Sequence, residues 1–237
     1  MQFLFDHIIS IMVSGVVLLI FVYIQMRGSS AATEATINHM VYSEALQLNE
    51  FLERDLENML TQIQTQLAID GGNYTGSASF VCQLSTAGGY TTTLTFPTIA
   101  HADSSITFVG DPNDAEAVEV TYQLVATMDS IAIPVGNVIQ NVPLFELRRE
   151  VGGKIIGISL PYVTAFEVQF GAKGSNTFLP ASALPTATTA CSADLSKVRF
   201  EFQLAAEGIG FVTNDQRSTS QQNLVRFGST VTLSNWE

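Results

Sequence analysis

Basic residues are scarce in this chain of 237 residues. Lysine and arginine together number 10 against 22 aspartates and glutamates, so the formal net charge is −12 at pH 7. After Arg27 and Arg54, the next basic side chain in the sequence is Arg148. No segment therefore gathers the positive charge that binds phosphate groups, and the composition argues against nucleic acid as a partner.

Histidine is also rare, which bears on catalysis. The three histidines, His7, His39 and His101, fall in separate parts of the chain, and none neighbours a nucleophile motif. Gly152-Gly153 is followed by a strand pattern rather than a helix, so it does not form a phosphate-binding loop. We predict from these absences that the protein is not an enzyme and uses no cofactor.

Only two cysteines are present, Cys82 and Cys191. Neither has a second cysteine or a histidine at ligand spacing, so the sequence predicts no metal site. In an exported domain the two would form one disulfide that closes a long loop, which stabilises a fold by about 2–4 kcal/mol. The alternative is two separate buried thiols.

Proline is absent before Pro97, so nothing interrupts a helix in the first part of the chain. Residues 8–24 read IISIMVSGVVLLIFVYI without a charge, and the preceding Phe3, Leu4 and Phe5 extend this run to the ~20 residues that cross a bilayer. The run lacks a basic start and exceeds a usual signal-peptide core. We therefore predict a retained transmembrane helix over residues 1–27, with the remainder of the chain periplasmic or extracellular.

A second helical pattern follows directly. One apolar stripe recurs at steps of three or four residues: Val41, Ala45, Leu48, Leu52, Leu56, Met59, Ile63 and Leu67. This stripe predicts an amphipathic helix within residues 28–71, continuous with the first and ended by Gly71-Gly72. Gly28, Ser29 and Ser30 mark a place where the helix could bend. The opposite face is charged and is interpreted as solvated; it carries Glu44, Glu50, Glu53, Arg54, Asp55 and Glu57.

Beyond Gly72 the period changes to alternation, which is typical of β-strands. The predicted strands cover residues 77–84, 90–96, 105–109, 117–126, 144–151, 154–159, 163–171, 197–206 and 224–233. Gly152-Gly153 predicts a hairpin turn, and residues 176–194 a long loop. The fold class is therefore α+β, with a long N-terminal helix packed on a β-rich head over residues 72–237.

Two short motifs have competing interpretations. Asp111, Asn113, Asp114 and Glu116 bring together oxygen ligands that could hold Ca²⁺, but the order of an EF-hand is absent and a polar turn between strands fits better. Asn73-Tyr74-Thr75 matches the acceptor pattern for N-glycosylation, which arises often by chance.

The apolar segment also carries polar and small residues that matter for assembly. Asp6 lies near its start, where its carboxylate either reaches the membrane interface or pairs with the α-amino group of a neighbouring subunit. Ser10, Ser14 and Gly15 are small enough to let helices approach closely. The segment could thus exchange lipid contacts for contacts with other helices.

This order of segments resembles the type IV pilin superfamily, in which an apolar helix continues as an amphipathic helix and carries a β-sheet head. The head is similar to J-type minor pseudopilins of type II secretion and to PilW-like minor pilins. Short motifs carry that similarity: residues 51–58 (FLERDLEN), 106–108 (ITF), 120–124 (VTYQL), 147–148 (LR), 163–170 (VTAFEVQF), 197–202 (KVRFEF) and 231–235 (VTLSN). The chain departs from the family in having Phe5 and Asp6 where a glutamate is usual, and in lacking a mid-membrane proline.

The resemblance implies a structural subunit that assembles with copies of itself, or with other pilin-like subunits, into a filament or tip complex for secretion or cell adhesion. The residues expected to take part are Asp6, Ser10, Ser14, Gly15, Val41, Leu48, Leu52, Leu56, Met59 and Ile63, although part of the stripe must cover the head. The alternative is a single-pass anchored extracytoplasmic β-domain that binds a partner within an envelope complex.

Overall fold

The computed structural model describes residues 2–79, 81–100, 116–135, 138–158, 162–172, 174, 177–180, 195–206 and 223–233. The chain divides into two compact units. One contains the N-terminal part of the first helix, up to Met40, and the other begins at Val41 and contains the sheet. The α+β class predicted from the sequence is confirmed, because an apolar N-terminal helix precedes a large and mostly antiparallel sheet.

Helix α1 spans Gln2–Glu57. Gly28 and the two serines after it remain part of the helix. Three hydroxyl groups in the following polar stretch donate to carbonyls three or four residues earlier: Ser30 to Arg27, Thr33 to Ser29 and Thr36 to Ala32. These bonds keep polar side chains compatible with the helix.

Within the described residues the head contains ten strands and a second helix. The elements are α2 (Gln62–Asp70), β1 (Tyr74–Thr75), β2 (Gln83–Ala87), β3 (Tyr90–Ala100), β4 (Glu116–Val135), β5 (Val138–Val151), β6 (Lys154–Ile158), β7 (Val163–Ala172), β8 (Phe178–Pro180), β9 (Leu195–Ala206) and β10 (Asn223–Thr232). The strands form one sheet in the order β10-β9-β7-β5-β4-β3-β2, with β1, β6 and β8 paired at the sides of β4, β5 and β7. All pairs are antiparallel except β1 with β4.

One face of the sheet is apolar and buried, as the alternation in the sequence predicts. The inward residues of β4 and β9 are all buried: Val118, Val120, Tyr122, Leu124, Val198, Phe200, Phe202 and Leu204. Side chains of the second half of α1 contact this face, as the tilted rings of Tyr42 and Phe227 illustrate at a centroid distance of 5.3 Å. The core of the head thus lies between helix and sheet.

The helix is interrupted where the sequence predicted continuity. α1 ends at Glu57, and residues 58–60 form a short extended segment along β3. The Leu60 N–H donates to the Pro97 carbonyl at 2.9 Å, and the Ile99 N–H donates to the Asn58 carbonyl at 3.2 Å. These bonds to β3 replace helical ones. The edge of β3 is available here because β2 does not extend along this part of it.

After this interruption α2 begins with a capping box. The Thr61 hydroxyl accepts from the Gln64 N–H at 3.2 Å, and the Gln64 side chain accepts from the Thr61 N–H at 2.9 Å. α2 ends at Asp70, directly before Gly71-Gly72, as predicted. The prediction of one continuous helix to this point is wrong, since two helices meet at the strand-like segment.

The strands differ from the predictions mainly at their ends. β2 begins at Gln83 rather than at residue 77, and β4 and β5 continue well beyond their predicted ends to form a hairpin arm, residues 130–135 paired with 138–143. The short strands β1 and β8 were not predicted, and β8 lies within the predicted loop 176–194. The predicted strand 105–109 lies outside the described residues.

The turn between β5 and β6 is the predicted hairpin. Gly152 and Gly153 both have positive φ, 56° and 79°, which side chains rarely adopt. At Gly152 an added Cβ would also lie 2.6 Å from Cγ2 of Thr75, whereas nothing lies within 4 Å of one at Gly153.

We therefore expect Gly152→Ala to destabilise the head more than Gly153→Ala. Both substitutions place a side chain in left-handed backbone, at a cost of about 1–2 kcal/mol, but only the first also crowds β1, which adds about 1 kcal/mol or more. Chemical unfolding of the full chain in mild detergent measures the difference. Equal losses in the two variants would contradict the close packing of Thr75 on this turn.

Candidate functional site

The first candidate site is the apolar part of α1. Ser10–Thr33, 24 residues, is long and apolar enough to cross a membrane by length and composition, and none of it is buried. Its large apolar side chains are exposed from Ile11 to Met26. At its end the Arg27 guanidinium lies over the Tyr23 ring, 5.8 Å from the centroid, an arrangement that suits a membrane interface.

The small residues proposed for assembly lie on this exposed segment. Ser10, Ser14 and Gly15 are all exposed, and nothing lies within 4 Å of a Cβ added to Gly15. Space beside Gly15 is therefore open to a second molecule. Asp6 is part of the helical backbone, and the position of its side chain lies outside the description.

The other assembly residues have a different environment. Val41, Leu52, Leu56 and Met59 are almost completely buried in the head, and Leu48 is partly buried. These side chains pack within their own subunit, so they belong to the part of the stripe that was expected to cover the head.

Ile63 is the exception in that set, since 73% of its surface is exposed. Leu67, one turn later on α2, is also 67% exposed. The break between the two helices ends the buried stripe, because α2 starts anew and presents these two residues to solvent.

The second candidate site is a buried ion pair that joins α1 to the sheet. Nε of Arg149 donates to Oδ2 of Asp55 at 2.7 Å, and Nη2 of Arg149 donates to Oδ1 at 3.1 Å. The Tyr122 hydroxyl donates to the same Oδ2 at 2.7 Å. The Asp55 side chain has no exposed surface, so both carboxylate oxygens are satisfied by residues of the sheet.

The strand register explains why these groups meet. Tyr122 of β4 and Arg149 of β5 are directly opposite each other and face the helix. A third contact comes from β3, where the Thr98 hydroxyl donates to the backbone carbonyl of Asp55 at 2.7 Å. Three adjacent strands thus hold one helical residue, and the ring of Phe51 covers Arg149 with 5.5 Å from Cζ to the centroid.

The pKa shifts within this cluster arise from burial and from the charges of its own members. Burial and the nearby Asp55 carboxylate both raise the pKa of the Tyr122 phenol well above its ordinary value, so it stays a donor. Burial alone would lower the pKa of Arg149, but the carboxylate more than offsets that effect and the pKa rises. A carboxylate near the C-terminal end of a helix opposes the helix dipole, which makes the arginine partner more necessary.

The interpretation of Asp55 as part of a solvated face is therefore wrong. Helical spacing places Asp55 on the charged side of the helix, but its contacts with the sheet bury it in the core. The signal that sequence reasoning missed is Arg149, which occupies an inward position between the apolar Leu147 and Val151 of β5. A buried arginine requires a buried acid, since unpaired burial of a charge is costly.

The cluster has the chemistry of a structural link rather than of a reaction centre. Both oxygens of the Asp55 carboxylate accept from Arg149 and Tyr122, and all three residues are buried. Among the residues that the structure describes, no group of three or more histidine, cysteine, aspartate or glutamate side chains is placed to hold a metal ion.

The remaining predicted sites are described only in part. Cys82 is buried and disulfide-bonded, and Cys191 lies outside the described residues. Asn73 is exposed directly after α2. The acidic turn of residues 111–115 also lies outside the described residues.

Comparisons of the chain with protein-family models, with curated proteins and with solved structures find no match in any of the three.

We predict that Asp55→Ala destabilises the head by about 3–5 kcal/mol, because it leaves the Arg149 charge buried without a partner. Glu50→Ala is the matched control: it removes an exposed carboxylate from the same helix, and such surface changes stay within about 0.5 kcal/mol. Equilibrium unfolding of the full chain in mild detergent measures both. Similar stabilities of the two variants would show that the ion pair does not hold the helix.

We also predict that stability falls above pH 10. The pKa of Tyr122 is raised from its ordinary value of 10.0, so above that pH the unfolded chain loses a proton that the folded chain keeps. Each such group lowers the unfolding free energy by about 1.4 kcal/mol per pH unit, and its contribution is fully present only below pH 10. In Tyr122→Phe the unfolding free energy should fall less steeply between pH 10 and 11.5. The difference in slope should correspond to about one proton. Parallel curves for the two proteins would contradict the assignment.

Proposed function

We propose that the chain is a pilin-like structural subunit that is held in a membrane by the first part of α1 and assembles with other subunits through that same segment. The observation that carries the proposal is that no part of Ser10–Thr33 is buried. An apolar surface of this size is not stable in water, so it requires lipid or protein as its surroundings. Assembly would exchange the first for the second.

The head supports this role by its construction. The same helix that carries the apolar segment continues into the head, where Asp55 links it to three strands of the sheet. A force or displacement applied to the helix is therefore transmitted to the sheet through charged hydrogen bonds, which are the stronger ones. A structural subunit needs such a link, whereas a flexible tether would suffice for an anchor.

A leucine at position 15 tests the assembly. We expect Gly15→Leu to keep the chain in the membrane, since leucine is more apolar, but to reduce higher oligomers about tenfold by preventing close approach of helices. Chemical crosslinking in native membranes and the yield of the chain in sheared filament fractions measure this.

Gly28→Leu is the matched control. It is the same change on the same helix, and again nothing lies within 4 Å of the added Cβ. Since the space beside the Cβ is open at both positions, a difference between the two variants reports on contacts between molecules. If Gly15→Leu oligomerises like the unsubstituted chain, the segment acts only as a membrane anchor, and the chain is a single-pass protein whose head binds a partner.

A further inference from the structure

The sheet of the head has several strand edges, and most are protected. Residues 58–60 bond to the edge of β3 where β2 is absent. β1, β6 and β8 pair at the sides of β4, β5 and β7. β2 itself has only five residues and a register shift. Short, bulged or covered edges are the devices by which natural proteins prevent pairing with other chains.

The hairpin arm is protected in a different way. It projects six residue pairs past the register shift in β4, from Ser130 opposite Pro143 to Val135 opposite Val138. Pro134 in one strand and Pro143 in the other have no N–H group. At each of these positions the strand therefore lacks the donor that would bond to a further strand. Both sides of the arm are thus poor templates for a further strand.

β10 has none of these devices. It is ten residues long, pairs with β9 along its whole length without a register shift, and contains neither proline nor lysine. Within the described residues no strand pairs with its other side. Its single charged residue, Arg226, is bonded to Glu201 of β9 at 2.9 Å. A long regular edge of this kind presents a row of backbone donors and acceptors to another chain.

We propose that β10 pairs along this edge with β10 of a second copy, antiparallel and centred on Gly228. In a continuous sheet, residues that face each other must point to the same face. The register centred on Gly228 meets this condition. It places Val225 opposite Val231 on the inner face, and Arg226 opposite Thr230 on the outer face.

Several observations favour a second β10 as the occupant. Of the edges that the structure describes, only β10 offers an unprotected strand of matching length. The proposed register brings no like charges together, whereas a register centred on Arg226 would place two arginines opposite each other, which is destabilising.

The contact is expected to be weak by itself. Nine paired residues span about 30 Å of strand, and an edge-to-edge contact of that length buries less surface than a typical stable interface. Dimerisation should therefore depend on concentration and become effective where copies are already held together in one membrane. The proposal does not depend on contacts between apolar helices.

A charge test at position 230 examines the register. The test uses the Gly15→Leu chain in mild detergent, where helix contacts are blocked. In the proposed dimer, Thr230→Lys places a lysine of each copy opposite Arg226 of the other, and Thr230→Glu places a carboxylate at the same two positions. We expect the lysine to raise the dimer dissociation constant by about threefold to tenfold and the glutamate to lower it by a similar factor. Sedimentation velocity over a concentration series measures both.

Two controls make the outcome decisive. Thr230 also pairs with Arg199 within the subunit, so melting temperatures at a concentration where all variants are monomeric report that intramolecular effect separately. A disulfide should form between Thr230→Cys and Arg226→Cys chains when they are mixed, but not within Thr230→Cys alone. A chain that stays monomeric at all concentrations, or a shift in the same direction for lysine and glutamate, would overturn the proposal.

Discussion

The buried ion pair between Asp55 and Arg149 is the interaction on which the rest of the head depends. Two charges are removed from water, and they are tolerable only because each is satisfied by the other, with Tyr122 as a second donor to Asp55. This requirement fixes the helix both along its axis and about it. An apolar stripe alone could slide by one turn along the sheet with a small change in buried area, whereas a displaced Asp55 would leave an uncompensated charge in the core.

The same helix serves two environments, and the difference between them lies in what surrounds its apolar residues. From Val41 onwards most of them are covered by the sheet of the same subunit, and within Ser10–Thr33 none of them is buried. The first set therefore stabilises the fold, and only the second is free to contact lipid or another subunit. Separation of these tasks along one helix explains why a stripe that is continuous in the sequence does not mark a continuous contact surface between subunits.

The features of the fold that depend on local periodicity were predicted from the sequence. The features that depend on contacts with residues distant in sequence were not. Alternation placed Val118, Val120, Tyr122 and Leu124 on one buried face, and the glycines at 152 and 153 predicted their turn, because both signals are local. The end of α1 was missed because residues 58–60 leave the helix to bond with β3, a competitor that is distant in sequence. Asp55 was missed for the same reason: its burial is decided by strand residues that lie 43 to 94 positions later in the sequence.

The way in which the strand edges of the sheet are protected relates the fold to assembly. A sheet of ten strands can stay soluble as a single copy only if its edges are short, covered or interrupted, and β1, β6, β8, residues 58–60 and the prolines of the hairpin arm each meet that need in a different place. Against this background the regular, uncovered edge of β10 among the described residues is informative. Protection that is applied nearly everywhere and omitted at one strand indicates that pairing at that strand is tolerated or used. If the chain is held in a membrane as proposed, such a weak contact suffices, because copies confined to one bilayer meet at a high effective concentration.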